Sequence, residues 1–263
     1  MRYRYILGVL LLVFHSCIAQ KASTQTFQMS TSQLKASSVF FDAKTTIEFD
    51  FNFPDAIIRY ALNGSVVNES SKEYTAPLVL TESSLITAKV FHPHYLESDP
   101  VQLEVLKISK KKPIKNIVIT PSPNERYPGL GPLGLGDLIK GGKQFSSDSQ
   151  WMGFQTDSIT ALITLNDAIQ VSTIVVSLLT SQSSWIFAPA EIKIFYKGKL
   201  IGASSYPKST ASNARNDSFF SVPVAMGVYG QLEVVIYPLN EIPEWHQGKG
   251  TRPWFFMDEI IIQ

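Results

Sequence analysis

The sequence has 263 residues, of which 44% are hydrophobic and 17% are charged, and its formal net charge at pH 7 is +1. This composition excludes an intrinsically disordered chain, which would combine few apolar residues with a high net charge. The near-neutral charge also argues against nucleic acid or an anionic membrane surface as the partner. We expect one or two globular domains.

The first 19 residues have the pattern of an export signal. Arg2 and Arg4 precede an apolar run over residues 6–14, which is too short to span a membrane, and small residues lead to Ala19. We expect cleavage after Ala19 and no transmembrane segment in the mature chain. Cys17 is the only cysteine, so the mature chain has no internal disulfide; in the alternative of a lipoprotein signal, Cys17 would carry the lipid anchor. A bacterial protein of the periplasm, the outer surface or the medium is therefore expected.

Short strand-like runs dominate the first part of the chain. Residues 20–38 are polar and predict a flexible lead-in or an edge strand. Residues 39–107 predict a small immunoglobulin-like sandwich, because β-branched and aromatic runs alternate with turn signals. Apolar and polar side chains alternate over residues 45–53, which is the period of a half-buried strand. Further strands are predicted at 39–41, 57–62, 84–91 and 101–106, with a turn at Asn63-Gly64.

The second part of the chain predicts a larger sandwich. Residues 108–116 are rich in lysine and predict a solvated linker, with a polyanion-binding patch as the alternative. Residues 117–263 predict a jelly-roll sandwich with long loops, so the predicted fold class is all-β. Its strands are predicted at 116–120, 159–165, 171–179, 191–196 and 231–237, with a hairpin turn at 197–198 and a last strand after the loop 244–254.

Signatures of catalysis are scarce in this sequence. His92 and His94 stand at alternate positions, where two imidazoles on one strand face would bind a metal, but Pro93 favours a loop there. The run GLGPLG at 129–134 has the spacing of a dinucleotide fingerprint, yet it contains a proline and no helix is predicted after it. We therefore expect no nucleotide and no catalytic metal.

Asp258 and Glu259 are the acidic residues closest to the last strand. Because they are adjacent, a regular strand would point them to opposite faces, and they would not form the facing carboxylate pair of a glycosidase. We therefore expect a protein that is not an enzyme.

Several segments of the chain are distinctive. In the first part they are IRYALNG (58–64), SKEYTAPL (71–78) and ITAKVF (86–91), and in the second part DSQWMGF (148–154), SWIFAPAEI (184–192), WHQGKG (245–250) and WFFMDEI (254–260). With these segments the first part resembles the immunoglobulin-like chitobiase/β-hexosaminidase C-terminal domain and the second part resembles a discoidin domain (coagulation factor 5/8 C-terminal type), as found together at the end of bacterial β-N-acetylhexosaminidases. The resemblance implies a galactose-binding-like jelly roll after the immunoglobulin-like sandwich, without the catalytic barrel of those enzymes.

The discoidin resemblance implies a structural calcium ion between an early loop and the last strand. Calcium takes roughly six to eight oxygen ligands, mostly carboxylates and carbonyls. Asp137 and Glu259 are the candidate side-chain ligands, with carbonyls of the glycine-rich loop around Gly136. Leu138 follows Asp137 where such domains usually carry glycine, which is a departure from the family pattern.

Glycan recognition needs aromatic faces and polar groups on loops at the end of a rigid sheet. The candidate ligand-binding residues are Trp245, His246, Arg252 and Trp254 in the late loop, with Tyr127 and Arg126 in the early loop. The leading hypothesis is an exported, non-catalytic carbohydrate-binding or adhesion protein. The alternatives are an envelope scaffold that binds another protein, and an accessory subunit of a glycosidase.

Overall fold

The computed structural model describes residues 27–109, 113–207, 210 and 215–263. The predicted export signal, Cys17 and the first part of the polar lead-in lie outside these residues. The described chain folds into strands and two short 3-10 helices, so the predicted all-β class is confirmed. Within these ranges no helix has the length and apolarity needed to cross a bilayer.

The N-terminal sandwich packs two sheets face to face. One sheet has the order β1-β3-β6 and the other the order β2-β8-β7-β4-β5. Its core contains Ile47, Ile86, Ala88 and Val105, none of which is accessible to solvent. The strands are β1 (Gln33–Ala36), β2 (Phe40–Phe41), β3 (Thr45–Asp50), β4 (Ile57–Leu62), β5 (Lys72–Glu73), β6 (Leu78–Leu80), β7 (Ser84–Phe91) and β8 (Val101–Lys107).

In this sandwich the structure decides between two sequence alternatives for the lead-in and shortens one predicted strand. The polar lead-in contains β1, an edge strand that pairs antiparallel with β3. The predicted strand 45–53 ends at Asp50, because Phe53 and Pro54 begin a turn, and Phe53 is exposed. Buried and exposed side chains alternate along β3 as the pattern predicts.

The C-terminal sandwich is built around two strands of unusual length. Strands β11 and β14 pair along most of their length, with register breaks between Thr164 and Ile169 and between Val171 and Thr173. The strands are β9 (Ile114–Thr120), β10 (Met152–Phe154), β11 (Ile159–Ser181), β12 (Glu191–Tyr196), β13 (Lys199–Ser205), β14 (Arg215–Tyr237) and β15 (Phe255–Ile262).

The register breaks divide the long strands between the two faces of the sandwich. The first half of β11 and the second half of β14 lie with β9, β12 and β13, whereas the other halves lie with β15 and β10. The predicted strands 159–165 and 171–179 are therefore two halves of one bent strand. The apolar side chains of both faces fill a single core.

The two sandwiches meet in a shared apolar cluster, the junction cluster. Phe40 and Ile108 from the N-terminal side pack with Val175 and Ile261 from the C-terminal side, and all four are buried. The Phe219 N–H also donates to the Glu104 carboxylate across this contact. The segment 108–116, predicted as a solvated linker, thus begins with a buried Ile108 and passes into β9 at Ile114.

Candidate functional site

The predicted ligand-binding residues of the early and late loops meet in an aromatic group. The Tyr127 ring centroid lies 5.3 Å from that of Trp254 and 4.8 Å from that of Phe256, both at steep angles. The Arg126 guanidinium lies 5.5 Å from the Tyr127 ring centroid. Trp254 and Tyr127 are half-buried, so much of their surface supports the loop base.

Arg252 has a different partner from the other candidates. Its guanidinium forms an ion pair with the exposed Asp157 carboxylate. Its carbonyl accepts a hydrogen bond of 3.4 Å from the Gln155 amide. These contacts tie the late loop to the turn before β11.

Trp245 and His246 form a second aromatic group with Trp185 and Phe187. The His246 ring meets the rings of Trp185, Phe187 and Trp245 nearly edge-on, at centroid distances of 6.0, 5.5 and 5.6 Å. A Cβ added at Gly248 would lie 3.1 Å from the Trp185 ring, so a side chain there would crowd the indole. Trp245 is the outermost member, with 43% of its surface exposed.

His246 uses both ring nitrogens inside the protein. Nδ1 accepts a hydrogen bond of 3.0 Å from the Gly248 N–H, so in the neutral ring the proton lies on Nε2. Nε2 lies 3.0 Å from the Gln182 carbonyl, to which it donates. His246 therefore connects the late loop to the loop after β11, and the ligand contact predicted for it stays a prediction.

Trp245 borders a cleft of about 1170 Å³. The cleft lies between the segment after Phe187, the end of β13 and the start of the late loop. It combines ring surfaces with a hydroxyl, an amide and two carboxylates. Residues that line it include Pro189, Tyr206, Asn240, Glu241, Pro243, Glu244 and Trp245.

Tyr206 is the notable polar group in this cleft. Its ring packs edge-on against Phe220 at a centroid distance of 4.7 Å. Burial raises the pKa of Tyr206, and the nearby Ser204 hydroxyl opposes part of that rise. The Tyr206 hydroxyl is buried near the Ser204 hydroxyl, but it forms no hydrogen bond of good geometry with any residue that the structure describes.

A β-bulge in the last strand allows two neighbouring acidic side chains to contact the same loop. Ser177 pairs with Glu259 and Leu178 with Met257, which leaves Asp258 as the extra residue of β15. Asp258 and Glu259 are both inaccessible to solvent. The expectation that these neighbours point to opposite faces is therefore wrong, because the bulge breaks the strict alternation of a regular strand.

Both carboxylates bind the loop 138–141. Asp258 Oδ2 accepts hydrogen bonds from the Lys140 ammonium at 2.8 Å and from the Gly141 N–H at 2.7 Å. Glu259 Oε2 accepts a hydrogen bond of 2.7 Å from the Leu138 N–H. The Lys140 ammonium also lies 4.1 Å from the Trp151 ring centroid, which further fixes its position.

Glu259 carries the largest pKa shift described in the protein. Burial raises its pKa to about 9, the Leu138 N–H opposes this rise, and the neighbouring Asp137 and Asp258 charges reinforce it. A protonated Glu259 can donate to the Asp137 carboxylate. At neutral pH this site therefore favours either a proton or another cation beside Glu259.

The type of donor atom at this site fits a hard cation. Glu259 Oε1 and Gln150 Oε1 are buried without hydrogen-bond partners among the described residues, and the Gln150 amide donates to Asp137 at 3.3 Å. Carboxylate and amide oxygens of this kind are the ligands that calcium takes. In the described ranges, however, no group of three or more His, Cys, Asp or Glu side chains is arranged as a metal site.

Sequence reasoning missed three residues of these sites. Tyr206 precedes a proline and lies in no recognised motif, and Lys140 and Gln150 become important only through contacts with Asp258 and Asp137. These contacts join residues that are 118 and 13 positions apart. No periodicity in the sequence signals such pairs.

Solved structures with some similarity include a pectin-binding module, a SusE-like protein and a chitosan-binding module. A pectin-binding carbohydrate-binding module is 13% identical, with 57% of this chain and 90% of that chain covered and a TM-score of 0.34. A SusE-like protein is 10% identical, with 89% and 97% covered and a TM-score of 0.37. A chitosan-binding module from a chitosanase/glucanase of Paenibacillus sp. IK-5 is 8% identical, with 58% and 96% covered and a TM-score of 0.31. At these TM-scores the likenesses assign no function.

Sequence comparison gives a more definite result for the first part of the chain. No curated protein matches the chain. Residues 36–102 match the family model described as the chitobiase/beta-hexosaminidase C-terminal domain. This match covers β2 to the start of β8 and confirms the resemblance drawn from the sequence there.

Proposed function

We propose that the protein is an exported, non-catalytic glycan-binding protein whose C-terminal sandwich holds the sugar in the cleft beside Trp245. The observation that carries this proposal is the exposed Trp245 ring at the border of a cleft whose lining also includes Asn240, Glu241 and Glu244. A sugar ring has an apolar C–H face and polar edges. An aromatic wall with nearby polar side chains complements both.

These polar groups in the cleft suit hydroxyl recognition. Asn240 offers an amide, and Glu241 and Glu244 offer carboxylates that accept hydrogen bonds from sugar hydroxyls. Because loops carry these groups at the end of a rigid sandwich, the cleft is largely formed before the ligand arrives.

A binding role without hydrolysis accords with the environment of Glu244. Its side chain is 89% exposed and lies 3.2 Å from the Lys249 ammonium. A glycosidase acid works by having its pKa raised, usually by burial in an apolar pocket. Glu244 lacks that burial, which supports binding as the role of this cleft.

The proposed protein also binds calcium, which has a structural role. The Asp137 and Glu259 carboxylates would hold it, with the Gln150 side-chain oxygen and loop carbonyls as further ligands. The ion would supply the positive charge that the buried Glu259 otherwise obtains from a proton. Melting of the protein with calcium and with a chelator tests this, using Glu259→Gln as the variant that no longer responds.

The proposal that the protein is exported is based on the sequence of residues 1–19, and lipidation at Cys17 is the alternative to cleavage after Ala19. Mass spectrometry of the protein purified from its cell envelope distinguishes the two, since cleavage after Ala19 and a lipidated Cys17 give different N-termini.

A protein-binding role is the second candidate. Leu130, Leu133 and Ile139 are exposed apolar side chains in the early loop. Exposed apolar residues close together in one loop are typical of protein interaction sites. Such a partner would be another envelope protein or a catalytic glycosidase chain.

A glycan array tests the leading proposal. The whole mature chain is compared with Trp245→Ala and with Met226→Ala, which removes another exposed apolar side chain that does not line the cleft. We expect at least about tenfold weaker binding for Trp245→Ala and unchanged binding for the control. A blank array from folded protein would contradict the proposal and favour the protein-binding role.

A further inference from the structure

The end of the N-terminal sandwich displays two neighbouring turns that each contain a proline. Ile57 pairs with Phe91 in the sheet, so the turn 53–56 before Ile57 lies beside the turn 92–95 after Phe91. The Ala56 N–H donates to the Phe53 carbonyl and the Tyr95 N–H to the His92 carbonyl. Pro54 and Pro93 occupy the second position of each turn, where proline pre-sets the backbone.

Backbone strain marks the first of these turns. Asp55 has φ of 57°, a left-handed conformation that glycine or asparagine adopts more readily. Strain of this kind persists where surrounding structure holds it, and it is enriched at functional sites. Its local effect is to hold Phe53 at the turn's edge.

Three rings meet where the two turns touch. The centroid of Phe53 lies 5.5 Å from that of His92 and 5.6 Å from that of Tyr95, and His92 and Tyr95 are 4.8 Å apart. All three pairs are edge-to-face, so each ring fixes its neighbours. Phe53 is 41% exposed, which leaves part of this ring cluster open to solvent.

His92 has one ring nitrogen that this turn does not use. Its Nδ1 accepts a hydrogen bond of 3.1 Å from the His94 N–H, so in the neutral ring the proton lies on Nε2. Within the described chain, neither this Nε2–H nor the Tyr95 hydroxyl forms a hydrogen bond. The cluster thus combines ring surface with two unused hydrogen-bonding groups.

The charged groups next to the cluster are mostly acidic, since Asp55, Glu97 and Asp99 lie near a single lysine, Lys89. Lys89, two residues before the end of β7, forms an ion pair with Glu97. Asp99 accepts a hydrogen bond of 3.1 Å from the Gln28 amide. A surface with apolar rings, an N–H and a hydroxyl but no free positive charge from these groups suits an uncharged ligand with both C–H and hydroxyl faces.

We propose that Phe53, His92 and Tyr95 form a second glycan-binding site, specific for neutral sugars, on the N-terminal sandwich. The sugar stacks on the exposed Phe53 ring, accepts a hydrogen bond from His92 Nε2–H and exchanges one with the Tyr95 hydroxyl. Because two proline turns and mutual ring packing fix these side chains, little conformational entropy is lost on binding. The site does not depend on the Trp245 cleft.

Nuclear magnetic resonance of the whole mature chain tests this proposal in the Trp245→Ala background. The probes are oligosaccharides of glucose, galactose, mannose and their N-acetylated 2-amino forms, followed by Zn²⁺ alone. We expect at least one sugar to shift the His92 and Tyr95 ring signals, and Phe53→Ala to weaken that binding at least about tenfold. Val79→Ala, which removes an exposed side chain of the same sandwich, should leave it unchanged.

Each contrary outcome overturns the proposal. If no sugar of the panel shifts these signals, the ring cluster is not a glycan site. If only Zn²⁺ shifts them, the two imidazoles bind metal instead. Because Trp245 is already absent, a positive result stands even if the C-terminal cleft proves not to bind glycans.

Discussion

His92 and His246, one in each sandwich, share a local geometry and differ in one hydrogen bond. Each accepts the backbone N–H of the residue two positions later at Nδ1, at 3.1 Å for His92 and 3.0 Å for His246. Each ring also packs edge-on against aromatic neighbours. His246 Nε2–H donates a hydrogen bond to the Gln182 carbonyl, whereas His92 Nε2 has no partner among the described residues.

This difference at Nε2 indicates which polar side chains of the protein are available to a ligand. A polar side chain whose hydrogen-bonding atoms are all used within the chain stabilises a loop. One that retains an unused atom at an accessible surface has something to offer a ligand. Tyr206 and Glu259 also retain an oxygen without a hydrogen-bond partner among the described residues, but both oxygens are buried and neither lies at an accessible surface.

The strongest test of the comparison is the change His246→Ala. It removes the acceptor for the Gly248 N–H, the donor to Gln182 and the contacts with three aromatic rings. We expect a loss of about 2–4 kcal/mol in the free energy of unfolding. Chemical denaturation measures this, and a loss as small as that of His92→Ala would contradict the distinction between the two histidines.

The comparison between used and unused polar atoms also applies to Glu259, where it predicts how stability depends on pH. Its folded pKa is raised to about 9 from an ordinary 4.5, so between these values the folded state keeps a proton that the unfolded state has lost. Stability therefore falls as pH rises from 4.5 towards 9, by at most about 1.4 kcal/mol per pH unit for one proton.

Melting temperatures recorded in chelator between pH 5 and pH 8, about three units apart, measure this slope. Glu259→Gln should flatten it, because glutamine does not titrate. An equal slope in this variant would assign the pH dependence to other groups.

Tyr206→Phe isolates a single unused hydroxyl. We expect glycan binding in the Trp245 cleft to stay unchanged, because a hydroxyl that is buried away from solvent makes no hydrogen bond to a sugar in the cleft. The melting temperature should not fall, because no described residue bonds this hydroxyl. A lower melting temperature with unchanged binding would mean that the hydroxyl serves the fold.

His92→Ala should produce the smallest change in stability, within about 0.5 kcal/mol, because its ring belongs to an exposed turn. Its effect should appear instead in sugar binding by the N-terminal sandwich. Calorimetric unfolding beside the binding measurement separates the two, and a substantial loss of stability would make His92 a structural residue like His246.

Strand periodicity predicted much of this fold. The strands at 57–62, 84–91 and 191–196 match the structure to the residue, and Lys197-Gly198 forms the expected turn with φ of 50° and 75°. Asn166 and Asp167 split the pattern of β11 in two, because a bent strand changes sheet where polar residues interrupt it.

The candidate sites were less predictable. The late loop was identified correctly as aromatic and polar, but sequence does not reveal that Gln182, 64 residues away, takes the second nitrogen of His246. Likewise, the bulge at Asp258 depends on pairing with β11 and not on any local signal. Long-range hydrogen bonds decide which polar atoms remain unused.

The junction cluster has a consequence for polysaccharides that carry many copies of one sugar. Two binding sites on a flexible tether accept almost any spacing between sugars, whereas buried apolar contacts between the sandwiches restrict the range of spacings. If both sites bind, the protein would select polymers by the distance and orientation of their repeats, and not only by the identity of the sugar. Polar substitutions at Phe40 or Ile261 would then broaden the range of polymers bound while lowering the avidity for the best of them.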